Sequence, residues 1–292
     1  MTEIGQIDCV SATTCVTGEN PLWHPSERVI YWTDIPGAKI YRFDPVTGET
    51  HVAYSGDIVG GFTLQADGAL LMFGAGGKIK LLKDGQVQVL IRSMPAEVAT
   101  RFNDVIADPA GRVFCGTMPT AQRSGRLYRL DHDLTVTQVV DGVGISNGLG
   151  FSPDRRTMYY TDSDPARTIY EFDYDEMTGA LSNRRIFKKV DEGDAVPDGL
   201  TVDSEGCIWS ARWDGGCVVR YSSDGRELMR LPIPGALKVS SMTFGGEDYS
   251  DLYLTTAGGD DRGSNGINAG ALFRVRLGVR GVPEYRSRIN VP

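Results

Sequence analysis

Short apolar stretches alternate with polar turns along the whole chain. Apolar and polar residues alternate within Lys39–Asp44, Arg126–Asp131, Thr168–Asp173 and Cys217–Tyr221, which is the pattern of a strand that buries one face. Glycine-containing turns, of the kind that reverse a β-strand, lie between such stretches. Apart from a short helical turn predicted around residues 95–100, little room is left for helix. The pattern therefore predicts an all-β fold.

One strand–turn–strand unit recurs along the chain. Residues 20–25 followed by 30–34 resemble residues 147–153 followed by 158–162, and the shared proline and the shared Thr-Asp pair are each 128 positions apart. The same test finds four further copies. The equivalent positions, here called the repeat column, are Glu19, Gly60, Asn103, Asn147, Asp198 and Ser240, with spacings of 41, 43, 44, 51 and 42 residues. Such spacings are typical of four-stranded propeller blades.

Six such blades account for the whole length of the chain. We therefore expect one domain over residues 1–292, a six-bladed β-propeller with four-stranded antiparallel blades. A propeller must close its ring, and the usual device completes one blade with strands from both ends of the chain. The last repeat ends near residue 276, and the weakly alternating segment Ile7–Cys15 precedes the first repeat. We predict that Ile7–Cys15 forms the outer strand of the last blade.

Composition limits the kinds of binding partner and the cellular location that we expect. The chain has 38 acidic and 30 basic residues, a net charge of −8, which disfavours nucleic acid because phosphate binding needs a concentrated basic surface. The first residues lack the pattern of a secretory signal, and no apolar stretch is long enough for a membrane span. We expect a soluble cytoplasmic protein, monomeric or weakly homo-oligomeric. Five cysteines without metal-ligand spacing predict reduced, mostly buried thiols.

Three members of the repeat column, Glu19, Asn147 and Asp198, carry oxygen donors suited to a metal ion. Equivalent positions of a propeller converge, and two converging carboxylates repel each other unless a cation neutralises them. Oxygen donors favour Ca²⁺, Mg²⁺ or Mn²⁺, while three protein ligands leave Zn²⁺ and Fe²⁺ open. No histidine falls in the column, which disfavours a histidine-rich zinc site. Turn preference is the plainer explanation for Asn and Asp at these positions, but it does not explain Glu19.

Several motifs resemble those of the SMP-30/gluconolactonase/regucalcin family. They are Gly18-Glu19-Asn20-Pro21-Leu22-Trp23, Arg101-Phe102-Asn103-Asp104, Ser146-Asn147-Gly148-Leu149 and Pro197-Asp198-Gly199-Leu200, and the likeness covers essentially the whole chain. The resemblance implies a six-bladed propeller that hydrolyses sugar lactones with one divalent cation. It also implies that Glu19, Asn147 and Asp198 hold the ion, that Arg101 and Asn103 contact the substrate, and that Asp198 is the general base.

The loop at residues 119–124 departs from the family pattern. Some members carry a substrate-contacting glutamate there, whereas Pro119-Thr120-Ala121-Gln122-Arg123-Ser124 has none. Gln122 and Arg123 are the candidates to replace it, which leaves the choice of lactone open.

Two other functions compete with lactone hydrolysis. Tyr31-Trp32-Thr33-Asp34 reads as the YWTD motif of receptor propellers, but the full form occurs once, so Asp34 is interpreted first as a strand-end hydrogen-bonding residue. Together with the acidic charge, the motif allows a calcium-binding or protein-recognition propeller without turnover. A metal-dependent aryl esterase or organophosphate hydrolase would use the same ion at an apolar mouth. Lactone hydrolysis is the principal hypothesis.

Overall fold

The computed structural model describes residues 4–291, and almost all of its regular structure is β. In chain order the strands are β1 Ile4–Ser11, β2 Gly18–His24, β3 Val29–Asp34, β4 Lys39–Phe43, β5 Thr50–Ser55, β6 Val59–Leu64, β7 Leu70–Gly74, β8 Ile79–Lys83, β9 Gln86–Ile91, β10 Phe102–Ala107, β11 Val113–Thr117, β12 Gly125–Leu130, β13 Val136–Val143, β14 Ser146–Phe151, β15 Thr157–Asp162, β16 Thr168–Asp175, β17 Ala180–Lys189, β18 Val196–Val202, β19 Ile208–Trp213, β20 Cys217–Tyr221, β21 Glu227–Pro232, β22 Lys238–Gly245, β23 Asp251–Ala257 and β24 Leu272–Leu277.

Helix is confined to two short pieces within residues 4–291. A 3₁₀ turn spans Pro95–Glu97, as predicted, and a four-residue α-helix, α1, spans Arg262–Asn265. Neither piece approaches the length or the apolar character that crossing a membrane requires.

The strands form six four-stranded antiparallel sheets, which are the blades of a six-bladed β-propeller, so the predicted fold class is confirmed. Five sheets follow chain order, from β2–β5 to β18–β21, and the sixth has the order β1-β24-β23-β22. The predicted outer strand of the last blade is therefore confirmed, with its bounds at Ile4–Ser11 in place of Ile7–Cys15. Cys15 lies in the connection to β2, where its N–H donates to Gly270 O at 3.1 Å.

Contacts divide the chain into two compact units, each with three sheets. Unit 1 comprises the residues up to Gly56 together with Val190–Pro283, and unit 2 comprises Asp57–Lys189 together with the residues from Glu284 on. Within unit 1, β22 packs between β2 and β18; within unit 2, β10 packs between β6 and β14. A single domain over residues 1–292 stays a prediction.

Burial decreases from the first to the fourth strand of each sheet. The first strands β6 and β14 are buried throughout, whereas the fourth strands β9 and β17 are mostly exposed. In unit 1 the core includes Trp209, Leu254 and Phe273, and in unit 2 it includes Phe73 and Phe102. Burying each such side chain contributes roughly 1.5–3 kcal/mol. The first strands therefore provide buried positions, shielded from solvent, for functional side chains.

The predicted reduced, mostly buried thiols agree with the structure. Cys15, Cys115, Cys207 and Cys217 are free and buried, whereas Cys9 is free and exposed. Cys9 lies on β1, an outer strand, so one of its faces meets solvent.

The repeat column lies within a β-bulge in five sheets and directly before one in the sheet that begins with β2. The ladder between the first and second strands shifts register at one place each time: between Glu19 and Leu22, Val59 and Gly61, Phe102 and Val105, Ser146 and Leu149, Pro197 and Leu200, and Val239 and Ser241. A bulge leaves a residue outside the ladder and re-aims its side chain. The alignment made from sequence thus corresponds to one recurring backbone irregularity.

Gly60 is the member of the column that tolerates no side chain. A Cβ built on Gly60 would lie 2.0 Å from the backbone oxygen of Phe102 on the neighbouring β10. We expect Gly60→Ala to lower the free energy of unfolding by about 1–3 kcal/mol or more, because the overlap is with backbone and cannot be relieved by a rotamer change. Chemical denaturation with a fluorescence readout measures this.

Gly193→Ala is the matched control, because its added Cβ meets nothing within 4 Å. It is expected to change stability by less than about 0.5 kcal/mol. Equal effects of the two substitutions would show that the close approach of β6 to β10 is not the cause.

Candidate active site

In unit 2, three residues singled out from sequence are joined by hydrogen bonds. Arg101 Nη1 donates to Asn103 Oδ1 at 2.6 Å, and Asn103 Nδ2 donates to Asn147 Oδ1 at 2.6 Å. Asn147 Nδ2 in turn donates to Ser163 Oγ at 2.7 Å. The chain of bonds fixes both amide planes and directs Asn147 Oδ1 away from Ser163. The structure therefore brings Arg101, Asn103 and Asn147 together.

Side chains of the column follow one geometric rule. Asn103 Nδ2 donates to Ser146 O at 2.8 Å, just before Asn147, and in unit 1 Ser240 Oγ donates to Gly18 O at 2.5 Å, just before Glu19. Each side chain donates to the backbone carbonyl of the residue just before the next member of the column. At Gly60 the equivalent carbonyl is that of Phe102, just before Asn103, and a side chain on Gly60 would collide with it. This shared geometry confirms the equivalence of these positions within each unit.

In unit 1, Glu19 pairs with Thr33 directly before the bulge of β2, and Asp198 lies within the bulge of β18. Their relative exposures are only 3% and 4%. Glu19 Oε2 accepts from the N–H of Asn20 at 3.1 Å. Asn20 has φ 49°, a left-handed conformation that asparagine tolerates better than most residues. The bulge thus depends on the residue that follows the carboxylate.

Asp194 anchors the segment that leads into β18. Its carboxylate accepts from Arg230 at 3.0 and 3.1 Å and lies 3.5 Å from Nε of the fully buried Arg212. Burial alone would raise the pKa of Asp194, but the hydrogen bonds from Arg230 and Ala195 and the charge of Arg212 lower it to about 2. The Asp194 carboxylate therefore stays ionised over the whole physiological pH range, and its hydrogen bonds hold the segment that precedes β18 and Asp198.

Asp104 is a buried carboxylic acid directly after Asn103, and sequence reasoning did not select it. Its relative exposure is 8%, and its Oδ1 has no hydrogen-bond partner within residues 4–291. Burial raises the pKa of Asp104 to about 7, and the charge of Arg101 opposes that rise. Asp104 can therefore hold or release a proton near neutral pH, beside two candidate substrate contacts.

The raised pKa of Asp104 makes stability depend on pH in a defined direction. Between the unfolded value near 3.9 and the folded value near 7 the folded state alone holds the proton, so stability falls as pH rises through this window. Asp104→Asn removes the titration. We expect the stability of the variant relative to the wild type to be greater at pH 8 than at pH 5, by on the order of 2 kcal/mol.

Thermal unfolding of both proteins in chelator at the two pH values measures the difference. Asp141→Asn, at a carboxylate on the exposed side of β13, is the control and should show no comparable change between pH 5 and pH 8. A stability difference for Asp104→Asn that is the same at both pH values would contradict the assigned titration.

The donor chemistry of Glu19, Asn147 and Asp198 fits an oxygen-preferring divalent ion. Each side chain is buried, and two buried carboxylates are costly unless positive charge is nearby. Residues 4–291 hold no group of three or more His, Cys, Asp and Glu side chains arranged for a metal. Glu19, Asn147 and Asp198 offer two carboxylates and one amide.

Residues 17–258 match the family described as the SMP-30/gluconolactonase/LRE-like region. The chain belongs to the SMP-30/gluconolactonase/regucalcin family. A pentonolactonase of Haloferax volcanii is 50% identical over 286 residues, which cover 96% of this chain and 97% of the relative. Regucalcin of Gallus gallus is 36% identical over 294 residues, with 96% and 97% covered. The solved structure of a luciferin-regenerating enzyme superposes with a TM-score of 0.88 at 27% identity, covering 99% and 100% of the two chains.

This member of the family uses one of the two loop candidates for an internal contact. The Arg123 guanidinium donates to the Glu97 carboxylate and, at 2.9 Å, to Ala96 O, whereas Gln122 is exposed. Arg123 is thus held by the 3₁₀ turn, and Gln122 remains the loop candidate for a substrate contact. Sequence reasoning missed Glu97 because it lies 26 positions before Arg123, outside any local motif.

Proposed function

We propose that the protein hydrolyses a small sugar lactone to the aldonic acid with the help of one divalent metal ion. The observation that carries the proposal is the 50% identity, over 96% of the chain, to a protein named as a pentonolactonase. A second, independent support is the hydrogen-bonded set Arg101, Asn103 and Asn147.

Glu19, Asn147 and Asp198 are the proposed metal ligands. Asn147 Oδ1 accepts one hydrogen bond from Asn103 and has a second lone pair for an ion. A bound divalent ion would polarise the lactone carbonyl and lower the pKa of an adjacent water. Calcium, magnesium, manganese, zinc and iron(II) all remain candidates, because oxygen ligands discriminate weakly among them.

Asp198 is the proposed general base. It takes a proton from the attacking water while the water oxygen bonds to the carbonyl carbon. The ring C–O bond then breaks, and the proton held by Asp198 passes to the departing ring oxygen, which becomes a hydroxyl of the open-chain acid. Atoms and charges balance without any further reactant.

Arg101 and Asn103 are the proposed substrate contacts. Arg101 Nη1 also donates to Phe102 O at 2.9 Å, so two acceptors fix the orientation of its guanidinium. A guanidinium held in this way can donate to lactone oxygens and stabilise negative charge as it develops on the carbonyl oxygen. The Asn103 amide accepts from Arg101 and donates to Asn147, the proposed metal ligand. One side chain thus orients both a proposed substrate contact and a proposed ligand.

A panel of esters tests the proposed reaction. Protein freed of metal and reloaded with each candidate ion is assayed against five- and six-membered aldonolactones, phenyl acetate and paraoxon. We expect turnover of at least one aldonolactone that far exceeds that of the other two esters. Turnover confined to phenyl acetate or paraoxon would favour the esterase alternative, and calcium binding without turnover of any ester would favour the non-catalytic propeller.

A further inference from the structure

Glu97 is a fully buried carboxylate for which the proposed reaction has no role. It ends the 3₁₀ turn Pro95–Glu97, and its side chain has a relative exposure of 0%. Its Oε1 accepts from Tyr128 Oη at 2.5 Å and lies 3.5 Å from Arg126 Nη1, and its Oε2 accepts from Arg123 Nη2. Burying a carboxylate costs several kcal/mol unless it is paired, so this network compensates a substantial penalty.

The network joins two segments of unit 2 that are separate in sequence. One is the turn that leads into Arg101, where Thr100 N–H donates to Glu97 O at 3.1 Å. The other is the loop at residues 119–124, whose Arg123 contacts both the side chain of Glu97 and the backbone oxygen of Ala96. Further bonds tie the start of the loop to the same segment: Thr100 Oγ1 donates to Met118 O, and Met118 N–H donates to Arg101 O, both at 3.0 Å.

The loop itself is a compact turn closed by its own backbone. Thr120 N–H donates to Arg123 O at 2.8 Å, and Thr120 Oγ1 accepts from the N–H groups of Gln122 and Arg123. Ala121 and Gln122 are exposed at its tip. Because the turn is closed and Arg123 anchors it, the contact with Glu97 fixes the backbone that carries Gln122.

We infer that Glu97 is a positioning residue: through Arg123 it locks the 119–124 loop to the segment that carries Arg101, and the locked loop sets which sugar lactones are preferred. The inference rests on the proposed lactone hydrolysis. A loop held in one position discriminates between substrates that differ by one CHOH group, whereas a loop that can move accommodates both.

Arg123→Gln and Arg126→Gln form a matched pair of test variants. Each removes one guanidinium from Glu97, and the two arginine side chains have nearly equal exposures of 21% and 22%. Only Arg123 belongs to the loop, because Arg126 lies on β12. The two contacts differ in length, because Arg126 Nη1 lies 3.5 Å from Glu97 Oε1 and Arg123 is closer, so a loss of stability in Arg123→Gln without a change of substrate preference would mark a purely structural role.

Steady-state kinetics on a pentonolactone and a hexonolactone give the first readout. For Arg123→Gln we expect kcat/KM on the preferred lactone to fall about tenfold, mainly through KM, and the preference ratio to shrink. Arg126→Gln should keep both within about twofold, and Arg123→Lys should restore part of the preference. Unchanged kinetics of Arg123→Gln, or equal losses in both variants, would overturn the inference.

Hydrogen exchange gives a second readout that needs no activity. In Arg123→Gln, amides of residues 95–101 and 119–124 should exchange faster than in the wild type and in Arg126→Gln. Exchange that is the same in all three proteins would overturn the inference even if lactone hydrolysis stands. A wild type that opens no lactone with any metal would instead overturn the proposed function, and with it the inferred effect on substrate preference.

Discussion

Asp198→Asn is expected to lower kcat for lactone hydrolysis by about 10³-fold. The substitution keeps the size of the side chain but removes the base that accepts the proton of water, and it replaces a carboxylate ligand by a weaker amide. Asp198 lies in the bulge of β18 with a relative exposure of 4%, so an isosteric amide should be accommodated without a cavity. A continuous assay of acid release under saturating metal measures the change.

Asp203→Asn is the matched control for this prediction. Asp203 follows β18 and is also buried, but its carboxylate accepts from Trp209 Nε1 at 2.9 Å and Arg220 Nε at 2.8 Å. Loss of the Asp203 carboxylate should lower Tm, while kcat of the folded variant should stay within a few-fold of the wild-type value. If Asp198→Asn retained full turnover, the assignment of Asp198 as base would be wrong.

Metal removal is expected to abolish turnover, with a loss of more than about 100-fold, and to lower Tm by several degrees. An ion bound by the buried carboxylates of Glu19 and Asp198 would stabilise the folded state, so its removal should lower stability as well as activity. Dialysis against a chelator, followed by titration with each divalent ion, measures both quantities on the same samples. Recovery of activity and of Tm should follow one binding curve.

Glu19→Gln tests whether Glu19 is one of the metal ligands. It should weaken metal binding by about 10–100-fold. Glu27→Gln, at an exposed carboxylate beside Arg42 in the turn between β2 and β3, should bind metal like the wild type. Activity that survives exhaustive chelation would rule out the metal mechanism, and equal metal affinity of Glu19→Gln and the wild type would remove Glu19 from the ligand set.

Repetition is the part of the structure that could be predicted best from the sequence. The register pairs Gly18↔Asp34 and Ser146↔Asp162 reproduce the offset of 128 residues found by comparing motifs. Third strands were predicted within one or two residues from the alternation of apolar and polar residues in the sequence. The bounds Cys217–Tyr221 were predicted in this way, although all five residues of that strand are buried. The aspartates that end the YWTD-like strands bind the connections that enter their own sheets: Asp34 Oδ1 accepts from Thr17 N–H, and Asp162 Oδ1 from Gly144 N–H.

Asp104 and Glu97 show where reasoning from the sequence stops. Strand alternation places Asn103 and Asp104 on opposite faces, yet both are buried because the bulge interrupts the alternation and first strands are covered on both sides. Glu97 meets Arg123 and Tyr128 through pairings at a distance of 26 and 31 residues. No local period encodes such contacts, so long-range polar networks have to be read from the structure.

The placement of β1 sets the order in which the molecule can be completed during its synthesis. β1 ends at Ser11, but its partner β24 begins only at Leu272. At a translation rate of about 5–20 residues per second, β1 waits roughly 10–50 s for that partner to leave the ribosome. Other sheets close from neighbouring strands as they emerge, whereas the sixth also needs a contact across almost the whole chain, for which the loop-closure entropy is greatest. An unpaired β1 edge therefore persists through most of translation, an interval in which chaperones or neighbouring nascent chains can bind it.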